Sequence, residues 1–271
     1  MIRLTDNEFI SLCNFMKKKY GINLEKKRVL IEYRLMNVLS QLKVKSYTEY
    51  MRLIQQDTSG KLQEELINRI TTNYTFFMRE PSHFQFIEER ILPHVDQHLP
   101  MHIWVAGCSS GQECYTLAMY LEDYRRKNKT LPKVTITATD ISTKVLAQAR
   151  EARYPIEAME KLPKHWQHHY CTVIEDGTMF QMKDNIRKQV TFSYHNLMEP
   201  FRLHQFHLIL CRNVLIYFDE ASRSKICHSF ANCLKKQGYL ILGHAEMMPQ
   251  SNPDFEYLKS SVYRLKEMSG K

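Results

Sequence analysis

Gly107 and Gly111 stand four residues apart in Trp104-Val105-Ala106-Gly107-Cys108-Ser109-Ser110-Gly111-Gln112-Glu113, directly after a short apolar run, in a chain with only eight glycines. The segment reads as strand, tight turn, helix start. Glycine tolerates left-handed backbone and lets a ligand approach the main chain at a strand's carboxyl end. It is not G-x-G-x-x-G, and it lacks the lysine of a phosphate loop. Asp140 closes the next apolar run, Thr135-Ile136-Thr137-Ala138-Thr139-Asp140. An acidic side chain there accepts hydrogen bonds from a ribose hydroxyl pair; the alternative is an N-cap for a helix over 142–152. His195-Asn196-Leu197 and Cys211-Arg212-Asn213 follow two further runs, and each asparagine alone is an ordinary turn residue. Four successive strand ends with glycine or polar signals point to one crevice. No diphosphate cradle is evident, so a nucleoside with a short zwitterionic tail fits better than a dinucleotide. S-adenosylmethionine is such a ligand.

To bring those strand ends together the chain must alternate strand and helix. From about Met101 it does: runs at 103–106, 134–138, 190–193, 207–210 and 239–242 predict strands, and 112–127, 142–152 and 220–235 predict helices. The pattern implies an α/β fold with a doubly wound parallel sheet over 101–271. Between 154 and 189 the alternation lapses. Asp176-Gly177 before Met179-Phe180-Gln181-Met182 predicts a small hairpin inserted at about 155–190. Residues 1–70 predict a small all-α domain. Thr5 and Glu8 have capping-box spacing, Gly21 is a helix stop, and further helices fall over 25–42, over 47–56 before Ser59-Gly60, and through Leu62, Leu66, Ile67 and Ile70. Residues 71–100 join the two domains.

The 271 residues are 44% hydrophobic and 25% charged, an ordinary globular composition. No apolar stretch reaches membrane-helix length, and the amino terminus lacks the apolar core of a secretory signal, so a cytoplasmic protein without membrane insertion is expected. Seven scattered cysteines without a C-x-x-C pair fit buried thiols in a reducing compartment better than disulfides or zinc. His165, His168 and His169 have spacings that suit a metal-binding helix face, but no cysteine or carboxylate set accompanies them, and a solvated helix is the simpler reading. No metal is expected. Phe76-Phe77 reads as domain-junction core. The net charge of +9 favours an acidic partner, and residues 1–60 hold eleven Lys and Arg against six Asp and Glu.

With these segments in hand, the chain resembles the chemotaxis receptor methyltransferase family (CheR), protein-glutamate O-methyltransferases, from about residue 5 to residue 265. The specific pieces are Thr72-Asn73-Tyr74-Thr75-Phe76-Phe77-Met78-Arg79-Glu80, Trp104 to Tyr115, Ala138-Thr139-Asp140-Ile141 and His195-Asn196-Leu197. Cys211-Arg212-Asn213-Val214-Leu215-Ile216-Tyr217-Phe218 and Gly243-His244-Ala245-Glu246 complete them. The resemblance implies a helical domain, a methyltransferase domain and a β-subdomain inserted in the latter. It carries cofactor contacts onto Asn73, Thr75, Arg79, Glu113, Asp140, Asn196, Leu197, Arg212 and Asn213, beside the Gly107 turn. It puts Arg79 and Tyr217 near the transferring methyl. The implied cofactor is S-adenosylmethionine, and the product S-adenosylhomocysteine.

The implied acceptor, a glutamate, is already ionised at neutral pH, so alignment and desolvation matter more than a general base. Arg79 would orient a carboxylate through its planar fork, unless it forms an ion pair with Glu80 or Glu89. Tyr217 would donate to the acceptor or line the path to the methyl, unless it only packs. The basic amino-terminal domain, through Lys27, Arg28 and Arg34, would dock on acidic cytoplasmic helices of chemoreceptors. Two departures from the family pattern stand out. Gln112 and Cys114 replace a glutamate and a proline, and Val173-Ile174-Glu175-Asp176-Gly177-Thr178 has one glycine where some members use a glycine-rich loop to hold a receptor tail. Independence from a tail peptide is therefore expected. A nucleic-acid methyltransferase is the competing enzyme, but no basic stripe interleaved with aromatics supports nucleic-acid binding. A cofactor sensor without turnover is the competing binding module.

Overall fold

The computed structural model describes residues 2–127, 129–202, 205–249 and 252–267. Helix α1 (Asp6–Tyr20) starts at the expected capping box, with the Glu8 amide donating to Thr5 Oγ1 and the Thr5 amide donating to Glu8 Oε2 at 3.0 Å. Gly21 stops it at φ 70°. Helix α2 (Arg28–Gln41) begins later than residue 25 because the Lys27 amide closes a turn onto the Leu24 carbonyl at 2.8 Å. Helices α3 (Tyr47–Gln56) and α4 (Lys61–Ile70) complete the domain. Leu12, Met16, Leu35, Tyr50 and Leu66 are among its buried core residues. The chain then crosses to the second domain and enters α5 (Pro81–Phe86), which carries on through a π and a 3₁₀ turn to His94.

The second domain runs β1 (Met101–Ala106), α6 (Gln112–Arg126), β2 (Val134–Asp140), α7 (Thr143–Glu151), β3 (Arg153–Pro155), α8 (Lys164–Tyr170), β4 (Cys171–Ile174), β5 (Met179–Met182), α9 (Asp184–Arg187) and β6 (Val190–Tyr194). It ends with β7 (Phe206–Cys211), α10 (Glu220–Cys233), β8 (Leu234–Leu242), β9 (Phe255–Lys259) and β10 (Val262–Leu265). The main sheet has the order β6-β2-β1-β7-β8-β10-β9. The pairs among β6, β2, β1, β7 and β8 are parallel, as expected. At one edge the sheet turns antiparallel, where β10 pairs with both β8 and β9. The insertion also exceeds a hairpin: β3, β5 and β4 form a three-stranded antiparallel sheet.

Strand order reverses between β1 and β7. Such a switch point leaves a crevice outside the strands' carboxyl ends. Two apolar layers sandwich the sheet and make its strands rigid supports. One contains Ile103, Leu117, Ile136 and Leu208, and the other Trp104, Ile209, Phe230 and Leu240. The seven cysteines are all buried and free, as the thiol reading expected.

Candidate cofactor cleft

A cleft opens at that switch point. Every residue given a cofactor or methyl-transfer role from the sequence lines it: Asn73, Thr75, Arg79, Gly107, Glu113, Asp140, Asn196, Leu197, Arg212, Asn213 and Tyr217. Gly107 at φ 80° turns the chain out of β1, and a Cβ there would clash with Val214 Cγ2. Gly111 at φ 92° starts α6 with no side-chain cap. The turn is further held by Asp140, whose buried carboxylate accepts the Ser109 amide at 2.8 Å and the Ser142 amide at 2.9 Å. The N-cap of α7 is Ser142, so Asp140 does not fill that role. Burial pushes the Asp140 carboxyl above its ordinary range, against the lowering effect of the Ser142 and Ser109 amides.

Arg212 organises the opposite wall. Its side chain is fully buried and contacts Glu113 at 2.9 Å and Glu80 at 3.1 Å, and it donates to the Arg79 carbonyl at 2.5 Å. One guanidinium thus fastens the interdomain segment and α6 to the end of β7. Arg212 lines the cleft, and its guanidinium also holds the walls together. Removing it would leave buried carboxylates without a partner, which costs about 3–5 kcal/mol. Burial pushes the Glu113 carboxyl up and Arg212 offsets this; burial also raises Glu80, but the charge and hydrogen bond of Arg212, with the Asn213 and His244 hydrogen bonds, bring it below its usual range.

Asn196 also works structurally. Its amide donates to the Lys19 carbonyl at 2.9 Å and its Oδ1 accepts the Met198 amide at 3.1 Å, so it ties α1 to the sheet. Arg79 forms no ion pair with Glu80 or Glu89 among the described residues. It donates to the Tyr74 carbonyl at 2.9 Å, and its guanidinium lies 5.9 Å from the Tyr74 ring and 5.7 Å from the Phe76 ring. Phe77 is the buried member of its pair, and Phe76 is half-buried beneath Lys161 and Arg79. Tyr217 is half-buried in a 3₁₀ turn, its carbonyl accepting the Asn23 amide at 2.8 Å.

The helical domain contributes a wall that sequence reasoning missed. Tyr20, Ile22, Leu24, Lys27 and Leu30 line the cleft. Nothing in their spacing marks them, because only the domain packing brings them there. The three basic residues assigned to docking separate. Arg28 contacts Asp6 at 2.5 Å and the Leu4 carbonyl, and Arg34 donates to the Ile70 and Thr71 carbonyls at 2.6 and 3.0 Å. These two guanidiniums brace the domain, and Lys27 faces the cleft.

Metal chemistry finds no ready site among the described residues. Of the histidine triplet, His165 turns to Asp123 at 3.4 Å and His169 to Arg126 at 3.1 Å. Glu80, His83 and His244 bring ligand atoms within 4.8 Å of one another. The Glu80 oxygens, however, already accept from Arg212, Asn213 and the His244 amide, and a guanidinium at that carboxylate opposes a second cation.

S-adenosylmethionine fits this donor set. Asp140 at the end of β2 suits a ribose, and Asn213 Oδ1 is a buried acceptor with no partner, its Nδ2 being directed to Glu80 at 3.3 Å. An ammonium group would satisfy that oxygen. Among the described residues, Arg79 and Lys27 line the cleft without an ion pair, and the planar fork of Arg79 suits a carboxylate.

Comparison with known proteins agrees with the geometry. Residues 73–264 match the family model described as CheR methyltransferase, SAM binding domain, and residues 7–71 match CheR methyltransferase, all-alpha domain. The chemotaxis protein methyltransferase of Borreliella burgdorferi is 41% identical over 97% of this chain and 95% of its own length. That of Vibrio anguillarum is 34% identical over 98% of this chain and 99% of its own. Among solved structures, the glycopeptide N-methyltransferase MtfA complexed with S-adenosyl-L-methionine aligns over 59% of this chain and 48% of its own, with TM-score 0.35 and 18% identity. The chain belongs to the CheR family of S-adenosylmethionine-binding chemotaxis methyltransferases.

Proposed function

We propose that this protein transfers the methyl group of S-adenosylmethionine to glutamate side-chain carboxylates on the cytoplasmic helices of chemoreceptors, forming methyl esters in the cytoplasm. The observation that carries the reading is a cofactor cleft walled jointly by the sheet domain and the basic helical domain, with Lys27 and Arg79 among its lining residues. When bound, the cofactor supplies an electrophilic methyl on a sulfonium. The chain's own residues align and desolvate an acceptor that is already ionised. Asn73, Thr75, Asp140, Leu197 and Asn213 hold the cofactor, Arg79 orients a carboxylate, and Tyr217 lines the approach to the methyl.

A helical acceptor is supported by exposed apolar residues that line the cleft or lie on α2. Val29 and Tyr33 lie one turn apart on α2, and Tyr74 and Ile216, both cleft-lining, are also exposed. Such a collar suits the apolar stripe of an amphipathic helix, with Lys27 near its acidic residues. Docking requires no receptor tail peptide. The test is mass spectrometry of receptor cytoplasmic fragments with and without their carboxyl-terminal tails. Methyl groups on helix glutamates at equal rates for both fragments support the reading. Methylation elsewhere removes the glutamate assignment, and loss of methylation with the tail removes tail independence.

A further inference from the structure

Glu246 has no part in the roles assigned above, although it ends one of the segments that carry the family resemblance. It is 3% exposed. Its Oε2 accepts the amides of Asn213 and Gly243, both at 2.6 Å, and its Oε1 accepts the Ile216 amide at 3.3 Å. These partners are main-chain N–H groups, so a buried carboxylate is held without a neutralising side chain among the described residues. That arrangement is costly, and burial pushes its carboxyl above the ordinary range despite those hydrogen bonds.

Two of the three amides lie in the segment that leaves β7 and presents both Asn213 and Tyr217 to the cleft. The segment needs holding. Asn213 sits at φ 61°, in the left-handed region that an L residue adopts at a cost. Val214 packs on the bare α-carbon of Gly107, and from the other domain Ile22 bridges to Phe218. Gly243 must be bare as well, since a Cβ there would lie 2.6 Å from Asn213 Nδ2 and 2.8 Å from Glu246 Oε2. The turn after β8 is therefore shaped around one carboxylate, and that carboxylate around the segment 213–216.

We propose that Glu246 is a positioning residue for methyl transfer: by gathering the amides of Asn213, Ile216 and Gly243 it fixes Asn213 and Tyr217 against the cleft. The inference rests on the methyl-transfer reading and concerns the transfer step more than cofactor affinity.

The test compares Glu246→Gln with wild type in the full chain. Glutamine keeps the shape and one acceptor but turns an NH₂ toward amides that need an oxygen. Hydrogen exchange of the amides at 213–217 and 243 is expected to accelerate while β1 and β7 stay protected. S-adenosylhomocysteine binding is expected to weaken by less than about 10-fold. The rate constant for methylation of a receptor fragment is expected to fall by about 100-fold, the scale of an ångström of misplacement, with KM for the fragment unchanged. Tyr217→Phe should then cost far less in the Glu246→Gln background than in wild type, because the two act as a unit. Unaltered protection at 213–217, or losses that add, would overturn the proposal. Should Glu246→Gln fail to fold, Glu246→Asp, which keeps the charge and retracts the carboxylate, carries the same comparison. If the wild-type chain methylates no fragment, the substrate reading fails alone, and the exchange experiment still decides the role of Glu246.

Discussion

Asp140 and Glu113 face the cleft with carboxyl groups that burial pushes up, Arg212 offsetting part of the rise at Glu113. For binding, an ionised Asp140 is the better acceptor for a ribose hydroxyl. Affinity for S-adenosylhomocysteine is therefore complete above the raised pKa and lost as pH falls through it. The loss should begin before free carboxylates titrate near about 4. For stability the sign is opposite: a carboxyl whose folded pKa exceeds its unfolded one costs stability at neutral pH, and acid relieves that cost. Calorimetric titrations across pH check the first sign. Asp140→Asn removes the charge at all pH values and should weaken binding by about 10- to 100-fold, the worth of a charge-assisted hydrogen bond, while flattening the pH dependence. The cleft position of Asp140 was legible because a strand end precedes it. The structural work of Arg212 and Asn196 was not, because their partners Glu80, Glu113 and the Lys19 carbonyl lie far away in sequence.

Among the elements, the glycine turn after β1 and the two elements it joins were legible from residue type alone. Gly107 lies in left-handed backbone with Val214 against it. Gly107→Ala should cost about 1–3 kcal/mol from backbone strain, with more from displacing Val214. It should also abolish cofactor binding; a denaturant melt and a binding titration read the two effects separately. The edge hairpin of β9 and β10 escaped prediction for a local reason. Its turn residues, Ser260 at φ 44° and Ser261 at φ 62°, adopt the positive angles for which Asn-Gly is the usual marker. Without a glycine or asparagine, two short strands carried no punctuation. The inserted subdomain was visible as a lapse in alternation and as one hairpin around Asp176-Gly177; its third strand, β3, is three residues long and carried no pattern.

Across the whole molecule, the cleft belongs to both domains. Lys17 contacts Asp219 at 2.8 Å, Asn196 reaches the Lys19 carbonyl, and the Asn23 amide reaches the Tyr217 carbonyl. The helical domain therefore shapes the cleft, which no pattern within residues 1–70 conveys. No helix among the described residues is long and apolar enough to cross a membrane. With a net charge of +9 and Lys27 at the mouth, association with an acidic helix should be steered electrostatically. The ratio kcat/KM for a receptor fragment should fall as salt is raised past the point where the Debye length drops below about 8 Å. A ratio independent of salt would remove the basic domain from docking. The most direct measurement is methyl transfer from labelled S-adenosylmethionine to a receptor cytoplasmic fragment, followed by mild base. A glutamate methyl ester releases the label as methanol; label that stays on the fragment in base would contradict carboxyl methylation.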